Sequence, residues 1–142
     1  MMLSDDELLA AFESTSLPFS EWTHEAHLRI AFQYVRRGGL AAAVAILRER
    51  IQAYNAAHGV PTTPTRGYHE TITRAWAAVM FAVVEDSRFE GDSISFLRSR
   101  RDLLATDYLL RYYSRERLFS MEARCDYVEP DLSPLPRDPS NC

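Results

Sequence analysis

The stretch "YHETITRAWAAVMFAVV", residues 68–84, decides the fold. From Ala75 onward it is apolar nearly all round, with no two-residue alternation. A helix on a protein surface keeps a polar face, whereas one that is hydrophobic all round belongs in a core. The spacing therefore predicts a helix over 68–84, the central and most buried one, with the rest of the chain wound round it. Glu70 falls in the first turn, where a carboxylate suits the helix dipole, and Arg74 follows four residues on, at ion-pair spacing. Gly67 marks the end of the preceding loop, "VPTTPT", which holds two prolines.

Outward from that helix, other segments show the same period. Ser4 with Glu7 matches a capping box and opens a short helix ending near Phe12 to Ser14. Thr23 caps a second, "HEAHLRIAFQYVRR", which is expected to stop at Gly38-Gly39. Its buried stripe reads His27, Leu28, Ala31, Tyr34 and Val35. A third covers 40–57, with Val44, Leu47, Ile51 and Tyr54 on one face, and His58-Gly59 ends it. Beyond the central helix, Asp92 caps "SISFLRSRRDLL", and two or three shorter helical pieces follow, the last capped by Ser114. The last stretch, "VEPDLSPLPRDPSNC", carries four prolines and no periodicity. The reading is an all-α fold: a compact bundle of five to seven helices in residues 1–126. An extended proline-rich tail over 127–142 should pack at "YVEPDL" and run loose beyond Pro134.

Composition agrees with one domain of ordinary globular character. The chain has 142 residues, 46% hydrophobic and 25% charged, enough to close a core without disulfide or metal. A net charge of -4 speaks against a nucleic-acid binder. No apolar run approaches the ~18 residues of a membrane span, and the first residues are acidic where a secretion signal would be basic. A cytoplasmic protein is expected. All 16 basic residues are arginine, a bias that a GC-rich bacterial genome accounts for. Cys125 and Cys142 fit no metal-binding spacing, and a disulfide between them is not expected in a reducing compartment. Arg124 would lower the Cys125 thiol and Asp126 would raise it.

Polar chemistry concentrates on histidine. His24 and His27 lie three apart and share a helix face, while Glu25 points elsewhere. "HEAH" is one residue short of the zinc-protease spacing. His69 shares a face with Thr73, Trp76 and Met80. If the two helix starts meet, His24, His27 and His69 form a credible donor set for Zn or Fe, with Glu70 as fourth ligand or general base. His58, before a glycine, is a helix-end cation. No P-loop, dinucleotide fingerprint or nucleophile elbow is present. Seven arginines fall between Arg98 and Arg124, among Tyr108, Tyr112 and Tyr113. They read either as an anion pocket with a tyrosine donor or, by default, as the wet faces of amphipathic helices.

Three motifs resemble a family of small all-helical bacterial proteins to which no activity is attached. They are an aromatic residue with H-x-x-H-L (Trp22, His24, His27, Leu28), then "GYHETIT-x-AW" (Tyr68, His69, Glu70, Thr71, Thr73, Trp76). The third is "YYS" with its sequel (Tyr112, Tyr113, Ser114, Leu118, Ser120, Arg124, Pro130, Asp131). The resemblance spans roughly 9–134 and implies that His24, His27, His69 and Glu70 belong to one pattern. The family pattern has Arg-Asp between its paired histidines, where this chain has Glu25-Ala26, so no role passes to those two positions.

Three functions follow as expectations. The first is a small metalloprotein, an enzyme acting on a small molecule, with His24, His27 and His69 on Zn or Fe. In it Glu70 serves as ligand or base, Tyr68, Thr73, Trp76 and Tyr113 line the pocket, and Arg124 holds an anionic group. The second is a metal-free enzyme using His69 and Glu70 as an acid–base pair. The third is a non-enzymatic helical module for a protein partner, its histidines and tyrosines serving as buried pins between helices. The face "LAAAVAIL" (40–47) offers a surface for a second copy.

Overall fold

The computed structural model describes residues 2–136. Six α-helices make up the bundle: α1 (Asp5–Glu13), α2 (His24–Ala57), α3 (Glu70–Ser87), α4 (Ser93–Ser99), α5 (Arg115–Leu118) and α6 (Met121–Cys125), with short 3-10 turns between some of them. Each α-helix opens on a side-chain cap. Ser4 and Glu7 form the full capping box, and Thr23, His69, Asp92, Ser114 and Ser120 each accept one backbone N–H of the first turn. Every such cap satisfies an orphan donor and contributes roughly 1 kcal/mol.

The expected break at Gly38-Gly39 is a kink rather than a loop. Only Gly39 leaves helical geometry, at φ 82° and ψ -176°, and the helix resumes at once. That backbone region is essentially closed to residues with a Cβ. The two predicted helices are both present and meet end to end at this kink, together labelled α2, which is long and apolar enough by length and composition to cross a membrane. Half of its apolar stretch is covered by the rest of the chain.

The axis of the bundle is α2, not the stretch 68–84. Helices α1, α3 and α4 all pack against α2, whereas α3 lies along it and takes α6 on its other side. The reason lies in side-chain size. The buried residues of α3 include Ala75, Ala77, Ala78 and Ala82, small enough for the larger side chains of α2 to fill the space. Leu28, Phe32, Leu47 and Tyr54 of α2 are all nearly inaccessible. Burying each side chain of this kind stabilises the fold by about 1.5–3 kcal/mol.

A buried polar latch ties three helices together at one end. Arg29 of α2 donates to Ser93 Oγ at 2.7 Å, to the Leu3 carbonyl at 2.7 Å and to Asp5 at 3.2 Å. Asp5 also accepts the Ser93 backbone N–H. The stretch after α6 is pinned in turn. Tyr113 donates to the Val128 carbonyl, Val128 N–H to Thr71, and Ser114 to Asp131. Packing runs one residue past Pro134, to a buried Leu135. Residues 137–142, including Cys142, lie outside the described residues.

Candidate functional site

His69 is the N-cap of α3. Its Nδ1 accepts the Ile72 N–H at 3.1 Å, and its Nε2 lies 2.8 Å from the Leu118 carbonyl. A carbonyl cannot donate, so Nε2 carries the proton and the ring is the neutral tautomer. Burial drives its pKa below the ordinary value, more strongly than the Leu118 bond restores it. Both nitrogens are therefore occupied by backbone.

Glu70 turns the other way, to α2. Arg48 grips it through Nε at 2.9 Å and a terminal nitrogen at 2.5 Å, and Tyr68 O–H donates to it at 2.7 Å. Burial alone would raise this carboxyl. The hydrogen bonds from Arg48 and Tyr68, with the charges of Arg48 and Arg74, outweigh that and hold it below the usual range. Burial and the Glu70 bond push the Tyr68 phenol up. Arg74, expected to serve Glu70, stacks its guanidinium 3.9 Å from the Tyr127 ring centre.

The other histidines are drawn to other carbonyls. His24 Nε2 lies 3.1 Å from the Leu103 carbonyl, and its ring meets Trp76 edge-on. His58 bonds the Thr15 carbonyl at 2.9 Å. His27 bonds the Thr23 carbonyl through Nδ1 at 2.7 Å, and Trp22 stacks on it at 3.7 Å. Burial lowers its pKa to about 4, against the opposing pull of the Thr23 carbonyl.

The metal centre expected from His24, His27 and His69 is therefore not formed. Among the described residues no group of three or more His, Cys, Asp or Glu is placed to hold an ion. The shared helix face brought His24 and His27 to one side of α2, but each ring then satisfied a different carbonyl. His69 has no lone pair left to give, and Glu70 is held by an arginine. With the donor set dispersed, the metalloenzyme reading for Zn or Fe falls.

One cleft, of about 340 Å3, collects much of what remains. The connector before α2 gives Phe19 and Trp22, α2 gives His27, Ile51 and Asn55, and the residue after α5 gives Phe119. Tyr68, His69, Thr73 and Arg124 also reach its wall. A smaller cavity of about 50 Å3 beneath shares His27, Ile51, Ile72 and Thr73 with it and adds Trp76. Glu70 instead lines a neighbouring depression with Arg48 and Cys125, which shares Tyr68 and Arg124 with the cleft but not His69. Tyr113 reaches neither, being fully buried on Val128. Arg124 spends its guanidinium on the carbonyls of Pro64, Gly67 and Tyr68. Phe19, Asn55 and Phe119 had drawn no attention in the sequence, since single aromatics in connectors carry no periodic signal.

Fold and site together define an all-α bundle with an aromatic-walled cleft. No family model matches the chain, and comparison with curated proteins and with solved structures finds no match.

Proposed function

We propose that the chain is a non-enzymatic helical module that docks a protein partner at the cleft between Phe19 and Phe119. The observation that carries this reading is how the polar side chains are spent. His24, His58 and His69 each bond a backbone carbonyl of another segment, as do Tyr54 with Leu17 and Tyr113 with Val128. These are buried or half-buried pins between elements, the role that a structural module requires. The acid–base alternative draws no such support, because His69 and Glu70 do not bond each other and each is engaged by other partners.

Support for docking comes from the rim. Phe19 is 45% and Phe119 53% exposed, and both line the cleft. Large aromatics at the edge of a pocket are characteristic anchors of interfaces. The stretch "LAAAVAIL" is less suited to a second copy, since Leu40, Ala43 and Leu47 are spent inside the bundle and Ala41, Ala42 and Ala45 are left outside. An exposed free thiol at Cys125 suits a reducing, cytoplasmic setting.

A displayed library of random peptides tests the reading. Wild-type protein should select binders that the double variant Phe19→Ser, Phe119→Ser no longer retains, while Leu132→Ser, altering an exposed apolar residue away from the cleft, retains them. Selection of no binder, or equal retention by the double variant, refutes it.

A further inference from the structure

His27 presents a bare hydrogen-bond acceptor to the cleft. Its Nδ1 lies 2.7 Å from the Thr23 carbonyl, so the proton sits on Nδ1 and the Nε2 lone pair is left over. No described residue donates to that nitrogen, and the ring lines the cleft on one side and the small cavity on the other. Asn55, only 9% exposed, lines the same cleft and its side-chain amide has no hydrogen bond among the described residues. Thr73 does not fill the gap, because its hydroxyl donates to the His69 carbonyl at 2.9 Å. The walls around these groups are apolar: Trp22 stacked on the imidazole, with Phe19, Ile51 and Phe119.

A purely apolar occupant would cover both polar groups and leave them unpaired, at a cost of about 1–3 kcal/mol each. An occupant wholly polar would waste the aromatic walls. The matching chemistry is an aromatic ring with a donor at its edge, which is what a tyrosine O–H or a tryptophan N–H supplies. A cleft of about 340 Å3 has room for one large side chain and its neighbours, not for a helix. Its mouth carries Arg66, exposed and without an ion-pair partner among the described residues, beside the Arg124 guanidinium. On a chain of net charge -4 this is a local positive rim, complementary to an acidic residue.

We infer that the cleft takes a tyrosine or tryptophan side chain of the partner, flanked by an acidic residue, with the ring's O–H or N–H donating to His27 Nε2. This rests on the docking reading above and gives it a specificity.

The probes are N-acetyl, C-amide tripeptides Glu-Tyr-Glu, Glu-Phe-Glu and Glu-(O-methyl)Tyr-Glu, titrated into the full chain with 15N-labelled histidine and followed by NMR. The tyrosine peptide should bind roughly ten-fold more tightly than the other two, the loss expected for one unpaired acceptor, and should move the His27 Nε2 resonance toward the hydrogen-bonded range. His27→Phe should bring the three affinities together. Equal binding of all three peptides to the wild type, or an unmoved Nε2 resonance, overturns the donor assignment while leaving docking intact. Free p-cresol binding as tightly as the tyrosine peptide assigns the site to a small phenol and overturns the partner assignment. Binding of none of the peptides overturns both.

Discussion

Replacing His27 with phenylalanine should flatten the dependence of stability on pH above the range where carboxylates titrate. In the folded chain burial lowers this imidazole to about 4, while an unfolded histidine titrates near 6.5. The depressed value means that the folded state refuses a proton the unfolded state accepts. Stability contributed by the neutral ring is complete above the unfolded pKa, falls as the pH drops below it, and is fully lost near the folded pKa. Between pH 7.5 and 5.0 the arithmetic gives ~2 kcal/mol of destabilisation from this residue alone, from 1.36 kcal/mol per pH decade over about 1.5 decades. His24 and His69 are lowered by burial as well, so the wild-type slope should be steeper still. Phenylalanine keeps a ring against Trp22 and loses the proton site together with the Thr23 bond, a loss of about 1 kcal/mol that does not vary with pH. Urea unfolding at half-unit steps from pH 7.5 to 5.0 isolates the effect as the wild-type minus variant difference. That difference should shrink by ~2 kcal/mol from the high to the low end of the range. A difference constant within about 0.5 kcal/mol would mean that His27 protonates freely in the fold, and would refute the neutral, acceptor-bearing imidazole.

Other substitutions probe the pins. His69→Ala should lower stability by about 2–3 kcal/mol, the sum of a lost cap and an orphaned Leu118 carbonyl. His69→Asn should recover about 1 kcal/mol of that by capping again, as read by urea unfolding. Asp5→Ala strands Arg29, whose side chain is 5% exposed, and should cost on the order of 3 kcal/mol with earlier hydrogen exchange at the start of α4. Tyr54→Phe removes only the 2.6 Å bond to the Leu17 carbonyl and should cost about 1–1.5 kcal/mol by thermal unfolding. Gly39→Ala meets no atom within 4 Å, so any loss comes from the backbone alone; about 1–3 kcal/mol is expected, and no loss would mean that α2 straightens without penalty.

The helices were legible because their causes are local. Ser4 with Glu7, Thr23, Asp92 and Ser114 each announce a helix start within four residues and each caps one, although Ser114 opens α5 and the last helix is capped by Ser120. The identity of the central helix was not legible in the same way. Apolarity all round 68–84 reports how little water that helix can face, but not how many neighbours it has. Its alanines make it a close partner, while the larger side chains of α2 reach in several directions and so collect α1, α3 and α4. Glu70 shows the same limit at the level of one residue. The i,i+4 relation pointed to Arg74, yet Arg48, twenty-two residues away, supplies a two-nitrogen grip that a helical neighbour cannot match.

The dispersal of the three histidines has a single physical root. A half-buried imidazole needs partners for two nitrogens, and a helical bundle is rich in carbonyls left over at the ends of short elements. Leu103 and Leu118 sit at such ends, 3.1 and 2.8 Å from His24 and His69, while His27 shares the Thr23 carbonyl at 2.7 Å with its own backbone N–H. Each contact satisfies one nitrogen without the cost of gathering three rings round a vacancy. His69 has its second nitrogen filled by the Ile72 N–H because it stands at a cap, a position the sequence placed one residue inside the helix. His27 sits in the first turn of α2, where its own backbone N–H already bonds Thr23, so nothing local is left to donate to Nε2. The difference between a residue that holds the fold and one with capacity to spare is thus its place at a helix start: His69 is the N-cap itself, whereas His27 lies four residues after its N-cap, Thr23. That capacity opens into the cleft walled by Trp22 and Phe119, which is why recognition is assigned to His27 and not to His69.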